Sequence, residues 1–412
     1  MHRPMEAVVI AFGGDHPSFI IGMDLGWIGC HQCDVINFRS RLARELGVEI
    51  DDILVNLSQT HKGPPFCIHE ANREGGEFVS DYIEKTITDL IATGKRALAL
   101  RQSADITWAY GKCALGTVRD LPVGGQVVVG FNPELTPDDT LVVGKVTNKN
   151  GEVLATIVNY GCHPTSVGWG SDLISPDYVG RARELVETAT GAPMLFLLGA
   201  CGNVAPKLQY AADTAVADKN GEILGYATLA TLATMLPAAS ELHFDQVITS
   251  GSNLGTWLPV KVEPNSAIDR RKIFIEMAHK VLLSEEEMRT AWTPLTASEV
   301  FLNFRIRKQF EIRIDYVTEN GTVRHPVWIW RLGDAIVLAH GGEAYLELAR
   351  ELRLRNLDRM ILFLDMTNGP GYIYLPTKIA YEQNTYQSQQ SIVAAGGLEE
   401  MLEVLDRQIK AL

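Results

Sequence analysis

The chain has 412 residues, 46% apolar and 21% charged, which is the balance of a folded protein rather than a disordered one. Its net charge of −13 comes without any Lys/Arg-dense stretch, so nucleic acid and anionic membrane surfaces are not expected partners. No run of about 18 apolar residues is present, so no transmembrane helix is expected. The opening MHRPMEAVVIAF lacks a secretory signal pattern, and a cytoplasmic protein is the expectation.

Residues 8–12 and 18–24 read as strands on either side of the Gly13-Gly14-Asp15 turn. Val35, Phe38, Leu42 and Leu46 then recur at helical spacing, with Gly47 as the stop. Residues 53–58 form a short apolar strand that runs into Ser58-Gln59-Thr60-His61 and is turned by Lys62-Gly63-Pro64-Pro65. Phe78, Tyr82, Ile83, Ile87, Leu90 and Ile91 outline a long amphipathic helix. Strand-like runs follow at 98–109 and 141–148, and Asn150-Gly151 turns the chain into a strand at 153–160. Ser175-Pro176-Asp177 reads as a helix start, with Ser175 as N-cap and the proline at the first helical position. Residues 194–198 are a buried strand that ends at Gly199-Ala200-Cys201-Gly202-Asn203.

Beyond these, a helix is expected at 223–236, a strand at 243–250 and a helix over 268–292 with its charges on one side. Strands are expected over 300–317 and 327–338, a helix over 343–354, a strand at 360–364 and an amphipathic helix after Leu398. The pattern is α/β: mixed β-sheets flanked by helices. Length alone would allow two or three domains, but the alternation has no linker or repeat, which favours a single large catalytic domain over residues 1–412. Six cysteines do not make a disulfide framework, and Cys30-His31-Gln32-Cys33, with no second pair, reads as two free thiols at a helix start.

Five stretches share one form, a strand followed by a sharp polar or glycine-rich step: residues 59–61, 159–166, 199–206, 340–343 and 368–374. Strand ends of this kind are where α/β proteins build sites. His61, His163 and Glu343 form a ligand set that zinc accepts, and their scatter along the chain suits a catalytic centre better than a small structural one. The competing reading is that each histidine is a hydrogen-bonded packing residue. On a continuous strand Gln59 and His61 would share a face, so both could look into one cavity. Asp24 is either a capping residue or a group that orients a histidine. Ser175 and Asp177 read as caps, Lys62 as solvated, and His16 and His69 as loop residues. Trp27, Trp169 and Trp257 are either ordinary core residues or the lining of an apolar pocket.

On these stretches the chain resembles the neutral ceramidase family of zinc-dependent amide hydrolases. Residues 58–64 resemble the family's T-H-T-H-S-G-P step. His163-Pro164-Thr165-Ser166, Gly202-Asn203-Val204-Ala205-Pro206, Gly342-Glu343 and Tyr374-Leu375-Pro376-Thr377 follow in the family's order, as do Tyr381 and Tyr386. The resemblance implies that His163, Glu343 and Tyr374 ligate zinc, and that His61 stands beside the metal and handles substrate. It also implies that Arg119 lies near the scissile carbonyl and that Tyr386 stabilises the oxyanion. Gln59 falls where the family has its first zinc histidine. A glutamine oxygen is a poor zinc donor, so either His61 takes over as ligand, or a weaker or different metal binds, or none does. Ala205 replaces a family serine. The family's C-terminal immunoglobulin-like domain and part of its N-terminal segment are not expected here. The implied function is hydrolysis of an amide bond in a small N-acyl amide by metal-activated water. The alternatives are a metal-free binding protein of the same fold and an ester or lactam hydrolase.

Overall fold

The structure, a computed structural model, describes residues 1–412 except Cys30, Thr296, Ala297 and Tyr372. The first cysteine of the CxxC pair and one tyrosine of the 368–374 step therefore lie outside the described residues.

Alternation along the central strands sets the architecture. Every residue of strand Ser18–Met23 is buried, yet neighbours belong to different cores. Phe19, Ile21 and Met23 pack with Phe38, Leu42 and Leu90 from helices Gln32–Leu46 and Val79–Ala99. Ile20 packs on the opposite side with Trp328, Trp330 and Leu362. Strands buried on both faces are what a layered α/β protein requires. Farther on, Ile329, Leu338 and Phe363 face Leu348, Leu352 and Leu405 of helices Leu346–Arg355 and Gly397–Lys410. The order of layers is helix, sheet, sheet, helix.

One sheet layer holds two neighbouring sheets. The first has strands Ala7–Phe12, Ser18–Met23 and Ile53–Leu57 in that order; the second runs Met194–Leu198, Val153–Tyr160, Thr140–Asn148, Ala104–Lys112. The facing layer is a four-stranded sheet, Ile268–Ala278, Thr322–Leu332, Ala335–His340, Met360–Leu364. Each sheet contains one parallel pair. Strands Ile53–Leu57, Val153–Tyr160, Met194–Leu198, Ala335–His340 and Met360–Leu364 deliver their C-terminal ends to one region, and buried amides stitch those ends together. Asn56 Nδ2 donates to Asp365 O at 2.7 Å, and Leu198 N donates to Asn56 Oδ1 at 2.8 Å. Asn159 Nδ2 donates to Leu197 O and Phe363 O, both at 3.0 Å. A buried amide left without such partners would cost about 1–3 kcal/mol.

The mixed-sheet α/β class expected from the sequence is the class observed, but two elements are exchanged. Residues 268–278 are a strand, not the first half of a helix; only Glu285–Trp292 is helical there. Ile275 and Met277 alternate into the core while Phe274 and Glu276 point out, a period of two that the surrounding charges obscure. Residues 300–317, expected as strand, fall almost wholly in a helix, Glu299–Tyr316, capped by Ser298, whose side chain accepts from Phe301 N. The helix Val79–Ala99 also runs past Leu98, so the next strand starts only at Ala104. The helix after 175 begins at Tyr178 with Asp177, not Ser175, as its cap. Glu343 belongs to a two-residue strand paired with Tyr374–Leu375, and the helix starts at Leu346. Among the described residues no helix is long and apolar enough to cross a membrane.

Candidate active site

His163 lies three residues past its strand end and is fully buried. Its backbone N–H donates to Val204 O at 2.9 Å, and its Nδ1 donates to Cys201 O at 2.7 Å. A neutral imidazole that donates through Nδ1 carries a lone pair on Nε2. That atom faces Glu343 Oε2 at 2.9 Å. Two acceptors at this distance repel unless a proton or another cation lies between them. Burial pushes the Glu343 carboxyl up, but hydrogen bonds from His163 and Gln59 and the charge of Arg119 outweigh it and hold the group below its ordinary range. Burial, with Arg119 second, pushes the His163 imidazole down, against the pull of Glu343.

A second carboxylate positions both partners. Asp365 Oδ2 accepts from Cys201 N and Ala344 N, both at 3.0 Å, and so fixes the loop that holds the His163 ring and the strand that carries Glu343. His340 Nε2 donates to Asp365 Oδ1 at 2.8 Å, and His325 Nε2 donates to His340 Nδ1 at 2.9 Å. Gly202 closes the same junction: a Cβ there would lie 2.8 Å from Glu343 O. Sequence reasoning missed Asp365 and His325. The only available signal for Asp365 was its place just after a wholly apolar strand.

Arg119, Tyr374, Tyr386 and His61 surround the pair. The buried guanidinium of Arg119 donates to Gly202 O from Nη2 at 2.8 Å and from Nε at 3.2 Å, and to the Tyr374 hydroxyl at 3.4 Å. The Tyr374 and Tyr386 rings meet edge to face at 6.0 Å. Burial raises both phenols, so each keeps its proton at neutral pH and is available as a donor. The His61 ring meets the His163 ring edge to face at 6.0 Å. His61 is open to solvent at its outer edge, yet closely surrounded by protein. That surrounding protein, then the charge of His163, depresses its imidazole. Water at its outer edge softens the effect of burial without reversing it, and the ring is neutral near pH 7.

Gln59 departs from expectation in geometry as well as in chemistry. The strand ends at Leu57, and Gln59 has φ = 62°, a left-handed conformation uncommon for a residue with a side chain. The period-two argument that put Gln59 and His61 on one face therefore does not apply: Gln59 is buried and His61 is open. The Gln59 amide hydrogen-bonds Glu343, and its Oε1 accepts from Cys201 Sγ at 3.5 Å. A carboxylate can only accept, so it is the N–H side of the amide that meets Glu343. Among the described residues no group of three or more His, Cys, Asp or Glu side chains gathers as a metal site. His163 and Glu343 supply two donors, whereas zinc takes at least three from protein. The Tyr374 oxygen is held by a guanidinium. In this arrangement the residues do not fit a zinc centre.

The fold has relatives among solved structures. A ceramidase complexed with C2 matches with a TM-score of 0.66 and 16% identity, over 98% of this chain and 69% of that one. The neutral ceramidase from Pseudomonas aeruginosa matches with the same score and identity, over 98% of this chain and 67% of that one. No protein-family model and no curated protein matches. At this identity the likeness is one of fold, and a fold by itself does not fix an activity.

The remaining candidates fall elsewhere. Asp24 orients no histidine: it forms a buried two-pronged ion pair with Arg183, at 2.8 and 2.9 Å. Ser175 Oγ accepts from Asp177 N at 2.9 Å, supporting the cap rather than replacing it. Lys62 Nζ donates to Ser171 O rather than standing free in water. His16 and His69 are exposed. Trp27 packs on the core, Trp169 stacks on Tyr210 in solvent, and Trp257 pairs with Phe244 on an exposed hairpin, so the three line no common pocket. Ala205 is buried in a two-stranded pairing with residues Gly116–Val118. Cys33 is a free, exposed thiol, as expected, whereas Cys67 is disulfide-bonded.

Proposed function

We propose that the chain hydrolyses the amide bond of a small N-acyl amide, with His61 as general base and Arg119 and Tyr386 as oxyanion donors. The observation that carries this reading is the placement of a solvent-reached imidazole, His61, 6.0 Å edge to face from the His163 ring that meets Glu343. His61 takes a proton from water as its oxygen bonds to the amide carbon. The oxyanion that forms is held by the Arg119 guanidinium and the Tyr386 hydroxyl. His61 then returns the proton to the nitrogen, the C–N bond breaks, and a carboxylic acid and an amine leave. A positioned base contributes about 10²–10⁴-fold, and each oxyanion donor about 3 kcal/mol. The His163–Glu343 pair forms the buried wall against which His61 packs. The fold shared with two ceramidases supports the choice of an amide over other acyl compounds.

The test is release of amine from N-acyl amides of graded chain length by the purified chain, with His61→Ala and Arg119→Met alongside. Turnover falls at least about 10²-fold in each variant; turnover that survives both substitutions sinks the scheme. A second reading, a binding protein, draws on Gln59, whose amide stands where the resemblance places a metal ligand. It predicts tight binding of N-acyl amides by the unaltered chain with no amine released.

A further inference from the structure

Among the described residues Arg305 has no acidic partner. It lies on helix Glu299–Tyr316 and is 7% exposed. Its Nε and Nη2, the two nitrogens that form the side-on fork of a guanidinium, are buried without a hydrogen-bond acceptor. The group is sandwiched between aromatic rings, 4.6 Å from the centre of Trp292 and 5.6 Å from that of Tyr386. Cation–π attraction of this kind is smaller than the cost of burying an unpaired guanidinium. Its neighbours on the same helix are treated differently: Lys308 pairs with Glu311 at 2.7 Å, and Arg307 meets Glu70 and Glu311, both at 3.4 Å.

The place of this unmatched charge gives it meaning. Tyr386, over which Arg305 lies, also meets Tyr374 edge to face, and Tyr374 touches Arg119. One turn along the same seam, Gln309 Nε2 donates to Gln390 O at 2.6 Å, so Arg305 and Gln309 face Tyr386 and Gln390. Gln390 Nε2 is likewise buried with no acceptor. Buried donors that lack an acceptor thus stand along the seam that holds Tyr386.

We infer that Arg305 recognises a carboxylate of the substrate, which makes the substrate class an N-acyl amino acid. This rests on the amide-hydrolase reading above. The fork formed by Nε and Nη2 matches the two oxygens of a carboxylate in one plane. Arg305 lies against the ring of Tyr386, itself an oxyanion donor, so the carboxylate it meets lies within a few bonds of the scissile amide. An amino acid carries its acid there; a plain acyl chain carries none.

The experiment compares N-dodecanoyl glycine with N-dodecanoyl ethanolamine, which share chain and amide and differ in the carboxylate. Binding to the full chain is measured by calorimetry, and amine release is followed separately. The expected result is at least about tenfold tighter binding of the glycine conjugate. Arg305→Met abolishes that preference while leaving the ethanolamide within about twofold. Arg305→Lys, which keeps the charge without the fork, retains part of it. If Arg305→Met fails to fold, the preference of the unaltered chain and its partial loss in Arg305→Lys decide the matter. Equal binding of the two amides by the unaltered chain overturns the inference, as does a preference that survives substitution of Arg305. A chain that prefers the glycine conjugate but releases no amine from either keeps the carboxylate site and loses the hydrolase.

Discussion

His163 Nε2 stands 2.9 Å from Glu343 Oε2 across 180 positions of sequence, while Nδ1 of the same ring is committed to Cys201 O at 2.7 Å. One neutral ring cannot donate in both directions, so the contact is satisfied only by a cation between the two atoms, and a proton is the smallest that serves. Removing one partner strands the other. His163→Ala leaves the Glu343 carboxylate buried beside an empty space and lowers stability by about 3 kcal/mol. His163→Ala with Glu343→Gln loses less than the sum of the two single changes. Urea unfolding of the four proteins measures the coupling, and strictly additive losses would mean that no charge is shared.

Gln59 decides the metal question. Its amide N–H meets Glu343 where a third lone-pair donor would have to stand. The chain as it is should keep less than about 0.1 zinc per molecule after dialysis against a mild chelator, because two donors make a weak site. Gln59→His replaces the N–H with an imidazole and should retain about one zinc. Metal analysis by mass spectrometry reads both. Stoichiometric zinc in the unaltered chain would mean that Tyr374 or His61 turns inward to complete a ligand set.

Asp24 and Arg183 join the first strand layer to helix Tyr178–Thr190 through a fully buried ion pair. Asp24→Asn keeps the shape but leaves the guanidinium uncompensated, and should cost about 3–5 kcal/mol. Asp24→Leu with Arg183→Met removes both charges and should recover most of that loss. Chemical denaturation of the two variants separates the cases. A double variant no more stable than Asp24→Asn would show that the pair does more than neutralise itself.

The strands that carry the site were legible because each ends in a change of chemistry: Leu57 to Ser58, Tyr160 to His163, Leu198 to Cys201, His340 to Glu343. The exchanged elements were not legible, for a physical reason. Helix Glu299–Tyr316 turns Arg305, Lys308, Gln309 and Glu311 inward among Leu302, Ile306, Ile312 and Tyr316, so its buried face is half polar and hydrophobic periodicity does not mark it. The same property hid Arg305 as a site residue. Strand Ile268–Ala278 owes its conformation to an eleven-residue pairing with Thr322–Leu332 rather than to its own charge-rich sequence. The turn at Gln59 likewise has no local signature, since the left-handed residue is not a glycine.

Tyr381 gives a pH dependence whose sign can be fixed in advance. Its hydroxyl donates to Val393 O at 2.6 Å and lies 3.1 Å from Ser391 Oγ, and burial pushes the phenol up to about 12, against an ordinary value near 10. Between those two pH values the unfolded chain has lost the Tyr381 proton and the folded chain still holds it. The folded state binds more protons in that window, so stability falls as pH rises through it, by about 2 kcal/mol once partial exposure is allowed for. Other buried tyrosines contribute to the same decline, so the informative quantity is the difference from Tyr381→Phe. That variant lacks the hydrogen bond and should be about 1 kcal/mol less stable at pH 8. It has no proton to lose, so the two stability curves should converge above pH 10 and cross before pH 12. Equilibrium urea unfolding at half-unit steps of pH follows the difference. A gap that stays constant from pH 8 to 12 would mean that Tyr381 ionises alike in both states and that its hydroxyl is not held by Val393.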